Sequence, residues 1–144
     1  MAFVPLRVLS SFSMLEGSIE PKTLAKLAKK LGFPAVALTD RNGLYAGMAF
    51  SEAALGEGVQ PIIGATLGLA RPAAWGGKAE TVDWLVLLAK DEVGYGNLCK
   101  LVSKAHMERP DHLDPHVTMA DLEALSEGLI ALTAGGEGSV VRLL

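Results

Sequence analysis

Four stretches carry side chains able to do chemistry: Ser10-Ser11-Phe12-Ser13, Glu16, the turn Asp40-Arg41-Asn42, and Thr133 ahead of Gly135-Gly136. In α/β folds, functional groups gather on the loops after the C-terminal ends of strands, and these stretches are expected there. Glu16 and Asp40 are expected to meet at the mouth of the sheet. There they either share a cation or are neutralised by Arg7 and Arg41. Ion pairs are favoured, because a divalent metal needs several N, O or S donors and the chain has only 3 histidines.

None of those histidines is expected at a strand end. His112 and His116 have the i, i+4 spacing of a zinc pair on a helix, but Pro115 between them breaks the helix, so a solvated loop is expected. His106 falls near a helix C-terminus, where a partly charged imidazole is comfortable. The turn Thr133-Ala134-Gly135-Gly136-Glu137-Gly138 lacks the GxxxxGK[ST] pattern of a phosphate loop, and Glu137 opposes an anion there. The lone Cys99, among Leu98, Leu101 and Val102, reads as a buried inert thiol.

Positioning these groups requires the following elements. Phe3 to Leu9 reads as a strand, and Pro21 suits the first turn of a helix carrying Leu24, Leu27, Ala28 and Leu31 on one face until Gly32. Ala35 to Thr39 is apolar until its last residue, as in a parallel strand buried on both faces. A helix over Leu44 to Leu55 follows, then a strand over Pro61 to Leu69 in which Gly64 signals a bulge or a close backbone approach. Ala70 to Glu80 reads as a loop and Thr81 to Ala89 as a strand. Asp91 is placed to cap the next helix, and Thr118 with Asp121 to form a capping box after a polar connection over Arg109 to Val117. A strand over Leu129 to Thr133 and a helix starting at Ser139 close the series. This alternation predicts an α/β fold with a largely parallel sheet, and the last element, stopping unfinished, is expected to belong to a larger barrel or sheet.

Bulk properties exclude several classes. The formal net charge is -3, and the densest basic stretch, Lys22, Lys26, Lys29 and Lys30, has the spacing of a solvated helix face rather than a nucleic-acid footprint. One cysteine rules out an internal disulfide. No run approaches the roughly 20 apolar residues of a membrane span, and no signal peptide opens the chain, so a cytoplasmic location with no membrane partner is expected.

The stretch Phe3-Val4-Pro5-Leu6-Arg7-Val8-Leu9-Ser10-Ser11-Phe12-Ser13-Met14-Leu15-Glu16-Gly17 resembles the first motif of the PHP (polymerase and histidinol phosphatase) domain that opens bacterial DNA polymerase III alpha subunits. The resemblance continues through Ala37-Leu38-Thr39-Asp40 and Asn42, then Pro61-Ile62-Ile63-Gly64. It goes on through Gly94-Tyr95-Gly96-Asn97-Leu98, Ser103-Lys104-Ala105 and Glu127-Gly128-Leu129-Ile130-Ala131-Leu132. It implies that residues 1–144 form the first part of a distorted (β/α)7 PHP barrel, truncated before closure, with the rest of the polymerase lying outside this chain.

In active members of that family, the strand ends hold metals. Where they carry a His-x-His pair, this chain has Arg7 and Leu9. The His after the Thr-Asp pair is Arg41, the Glu after Pro-Ile-x-Gly is Thr66, the His of the next strand is Trp84, and the later Cys is Gly135. Glu16 keeps a metal-capable side chain at its position. Arg and Leu do not ligate divalent cations, and added guanidiniums repel them. The resemblance therefore implies a degenerate, metal-free cleft, with no catalytic residue and no cofactor in this segment. Mg2+ belongs to the polymerase site of the parent chain, formed by carboxylates elsewhere.

Expected partners are the rest of the polymerase chain, a proofreading exonuclease subunit docked here, and DNA held through other domains. The alternatives are the PHP domain of an error-prone polymerase paralogue, a PHP phosphoesterase or exonuclease with retained metal activity, and a plain interaction domain. Exposed edge strands of an unclosed sheet also predict self-association.

Overall fold

The computed structural model describes residues 3–71 and 81–142. Helix α1 (Pro21–Lys30) opens with proline in its first turn, as expected, and ends where Gly32 takes a φ of +72°. Strand β1 (Ala35–Leu38) leads through the Asp40 turn to α2 (Gly47–Gly56) and the long β2 (Gln60–Ala70). After β3 (Val82–Ala89) come α3 (Glu92–Met107), β4 (His116–Val117), α4 (Met119–Ala124), β5 (Leu129–Leu132), a 3-10 turn (Gly135–Glu137) and α5 (Ser139–Arg142). The local stop and start signals hold. Asp91 caps α3 by accepting from Gly94 N at 2.9 Å, and Thr118 and Asp121 form the reciprocal capping box of α4.

The α/β class holds, but the sheet is mixed rather than largely parallel. Its order is β1-β2-β3-β5, with β4 also on β2. β1 and β4 run parallel to β2, whereas β3 runs antiparallel to both β2 and β5. The antiparallel pairing of β2 with β3 runs to Ala70 opposite Val82 and is extended by Arg71 N donating to Thr81 O at 2.9 Å, so the two strands form a hairpin rather than a parallel pair. Most of the expected loop over Ala70 to Glu80 lies outside the described residues, as does the end of the helix expected to run to Leu144.

The expected first strand is also corrected. Phe3 to Leu9 is extended beside β1 without a regular ladder: Pro5 O accepts from Ala37 N and Val8 O from Thr39 N, both at 2.8 Å. Three steps on one side face two on the other, so the register slips by one residue, and Pro5 has no N–H to donate. His116, expected in a loop, begins the short β4.

Side chains alternate across the sheet with a period of two. Ala65, Leu67, Leu69 and Leu87 pack on Leu98, Leu101 and Ala105 of α3, while Val36 and Leu38 meet α1 and α2 around the fully buried Phe50. The opposite face presents Ala37, Val86 and Leu88 with Ile62, Trp84, Leu132 and Ala134. Gly64 is a close approach, as expected. A Cβ there would stand 2.5 Å from Leu87 O. Cys99 is half-buried beside Tyr95 rather than buried, because α3 turns its neighbours Leu98 and Leu101 to the sheet. Among the described residues no helix is long and apolar enough to cross a membrane.

Candidate functional site

β1, β2 and β5 run in one direction and β3 in the other, so the C-terminal ends of the three converge with the start of β3. The polar groups read from the sequence collect at this end. Asp40, just past β1, is buried, and its carboxylate accepts from Ser10 N at 2.7 Å, Ser10 Oγ at 2.8 Å and Ser13 Oγ at 2.8 Å. Ser13 Oγ in turn accepts from Arg41 N at 3.0 Å. Glu16 does not reach Asp40 as a second carboxylate of a shared site. Hydroxyl and amide donors satisfy Asp40, with no guanidinium on it, because Ser10 and Ser13 of the same turn reach it first.

Arg41 swings the other way. Its Nε donates to Glu16 Oε2 at 2.8 Å, its Nη2 to Glu137 Oε1 at 2.9 Å, and its guanidinium carbon lies 4.1 Å from the centre of the Trp84 ring. Among the described residues Nη1 is buried without an acceptor, so the group is held there by two of its three nitrogens and by the ring face. Arg7 pairs with the other oxygen of Glu137 and donates through Nη1 to Ala134 O at 3.0 Å. Two cations and two anions thus form one lattice across residues far apart in sequence. Burial pushes the Glu137 carboxyl up, but hydrogen bonds from Arg7 and Arg41 and the two positive charges outweigh it and hold the group below its usual range.

The turns that carry these groups are locally forced. Leu15 (φ 66°), Asn42 (φ 49°) and Ala134 (φ 55°) all take left-handed backbone, which costs a non-glycine residue about 1–2 kcal/mol. Asn42 is secured from two sides: its Oδ1 accepts from Gly68 N at 3.0 Å, and His106 Nε2 donates to its carbonyl at 2.7 Å. Thr66 is buried behind the turn. Its Oγ1 donates to Thr39 O at 2.9 Å, and its backbone bridges Asp40 and Asn42. Gly135, at φ +58°, opens the 3-10 turn that aims Glu137 into the lattice, and Leu9 is half-buried beside Ser10.

The ion pairs expected from Arg7 and Arg41 are therefore present, but with Glu137 as the shared anion. Sequence reading had set Glu137 aside as an obstacle to phosphate. Its position three residues past the αL turn after β5 was the available signal. A second network escaped entirely. Asp83, fully buried at the start of β3, receives Arg71 Nε at 2.8 Å and Nη2 at 2.6 Å, with Arg142 Nη1 at 3.0 Å. The hydrogen bond from Arg71, helped by Ser139 and Arg142, holds this carboxyl below its ordinary value against the opposing effect of burial.

Comparison with known proteins adds the family. A model described as the PHP domain matches residues 5–144. The chain belongs to the PHP domain family.

Among similar sequences, the DNA polymerase III subunit alpha of Caulobacter vibrioides is 40% identical over 98% of this chain. That of Escherichia coli K12 is 37% identical over 99% of it. The chain spans only 12% of the length of each of these relatives. Solved structures share the fold at low identity. An amidohydrolase from Chromobacterium violaceum superposes with a TM-score of 0.55 at 18% identity, covering 72% of this chain and 33% of that one. A putative metal-dependent phosphoesterase from Bifidobacterium adolescentis gives 0.53 at 19%, covering 96% of this chain and 46% of that one. In both cases the chain covers less than half of the larger chain.

Proposed function

We propose that this chain is the metal-free structural PHP segment of a replicative DNA polymerase alpha subunit, part of a longer cytoplasmic polypeptide that performs templated DNA synthesis. The observation that carries the reading is the Arg41 guanidinium, seated on Trp84 between Glu16 and Glu137 where the strand ends converge. A divalent cation there needs lone-pair donors. The positions in question offer two guanidiniums from Arg7 and Arg41, the alkyl side chain of Leu9, the indole of Trp84, Gly135, and a Thr66 hydroxyl already donating to Thr39. Both oxygens of Glu137 and Oε2 of Glu16 are engaged by arginines, and Asp40 by Ser10 and Ser13. The donor set does not fit the metal of active PHP enzymes.

The similarity to polymerase alpha subunits over nearly the whole chain supports the parent activity. That activity draws on carboxylates and Mg2+ in other domains. Within the parent, this segment acts as scaffold and as part of the dock for a proofreading exonuclease. Calorimetric titration of zinc and manganese into the complete PHP domain tests the cleft: no heat of binding at micromolar protein is expected. Stoichiometric binding overturns the reading and restores a phosphoesterase. Primer extension by the full-length chain with Mg2+ and the four deoxynucleotides tests the parent activity, and its absence removes the polymerase assignment.

A further inference from the structure

Beside the arginine lattice lies a hollow of about 700 Å3 that the proposed function leaves unused. Its apolar walls include Phe12, Met14 and Tyr45, all exposed, and its polar side carries Glu16, Glu20 and Arg41. The loop that supplies most of this wall is held in a costly shape: Leu15 keeps a left-handed backbone and leaves its whole side chain in solvent. Strain maintained to expose large apolar groups points to recognition rather than to packing.

We propose that this hollow docks a protein segment presenting an arginine or lysine among apolar residues. The charge balance selects that chemistry. Arg41 is already shared between Glu16 and Glu137, so it contributes no free positive charge. Glu20 accepts only from the Ser11 hydroxyl, at 3.0 Å, and has no ion-pair partner among the described residues. On Glu16, only Oε2 is engaged by Arg41. The hollow therefore combines surplus carboxylate with two aromatic walls and a flexible thioether. A long cationic side chain satisfies all of these together: its methylene stem lies on Met14 and Phe12, and its head reaches the carboxylates and an aromatic face. A neutral stem offers Glu20 no ion pair, and an acidic one meets like charge. This surface depends neither on the metal content of the cleft nor on which subunit supplies the segment.

The test uses the full-length chain and a short fluorescein-labelled peptide with arginine between leucines, followed by anisotropy. Its control is the same peptide with citrulline, which keeps the shape and removes the charge. Saturable binding of the arginine peptide is expected, weakened about tenfold or more by Glu20→Lys and by Met14→Ser, with the citrulline peptide about tenfold weaker. Both substitutions are at exposed positions, and an unchanged thermal midpoint verifies that the variants fold. Equal binding of the two peptides, retained affinity in both variants, or no binding overturns the proposal. So does protection of Met14 from peroxide oxidation in the full-length chain, which would mean that the chain's own downstream domains cover the hollow.

Discussion

Replacing Asp40 measures how much of the strand-end architecture hangs on one buried carboxylate. Asp40→Ala removes the acceptor for Ser10 N, Ser10 Oγ and Ser13 Oγ at a site where all three residues are buried. Each hydrogen bond to a charged group contributes about 1.5–3 kcal/mol, and each orphaned buried donor costs about 1–3 kcal/mol. The hydroxyls keep one bond each, because Ser10 Oγ still accepts from Phe12 N and Ser13 Oγ from Arg41 N. The Ser10 amide keeps none from this carboxylate. The sum is a loss of about 3–5 kcal/mol, a large share of the ~5–15 kcal/mol available to a domain. Asp40→Asn keeps one oxygen for Ser10 N and Ser13 Oγ and removes a buried negative charge that no arginine neutralises. Its expected cost is about 1–2 kcal/mol.

Urea unfolding followed by tryptophan fluorescence separates the two variants. With a slope of about 2 kcal/mol per molar, Asp40→Ala lowers the midpoint by roughly 2 M and Asp40→Asn by less than about 1 M. Asparagine as damaging as alanine would show that the charge itself, rather than its acceptor oxygens, holds the turn. Two wild-type midpoints would refute the reasoning altogether.

Arg41→Met keeps the stem over Trp84 but removes the charge. It is expected to change the tryptophan emission and to show a coupling of about 0.5–1 kcal/mol with Glu137→Gln in a double-mutant cycle, a modest value because Glu137 is partly solvated. Phe50→Ala, at a fully buried position between α1, α2 and β1, should cost about 3–5 kcal/mol in the same urea assay. For pH, the folded-state carboxyls of Glu137 and Asp83 lie below their ordinary values of 4.5 and 3.8, so on acidification the unfolded chain takes up protons first. Their contribution is complete above that range and is lost as pH falls through the folded values. The thermal midpoint should thus be level from about pH 8 to pH 5 and fall below, less steeply in Glu137→Gln. A midpoint that rises between pH 6 and pH 4 contradicts the assigned pairs.

The local grammar of the chain was legible without tertiary information. Pro21, Gly32, Asp91 and the Thr118–Asp121 pair mark helix ends through bonds that span a few residues, so sequence spacing alone specifies them. The apolar runs of β1, β2 and β3 and the close approach at Gly64 follow from side-chain size and burial in the same way. The strand-end reading also put Glu16, Asp40 and Arg41 at one end of the sheet, because they follow strands, with Arg7 as an ion-pair partner, while Leu9, Thr66 and Trp84 were singled out by the family resemblance alone.

Which of these groups touch was decided only by the assembled sheet. The reversal of β3 carries Trp84 beneath Arg41 and Asp83 between Arg71 and Arg142. The return of β5 beside β3 brings Glu137 within reach of Arg7, 130 positions away in the chain. Such contacts depend on strand direction and register, where a slip of one residue sends a side chain to the other face. Composition and spacing can name the charged groups at a strand end, but only the register assigns each its partner.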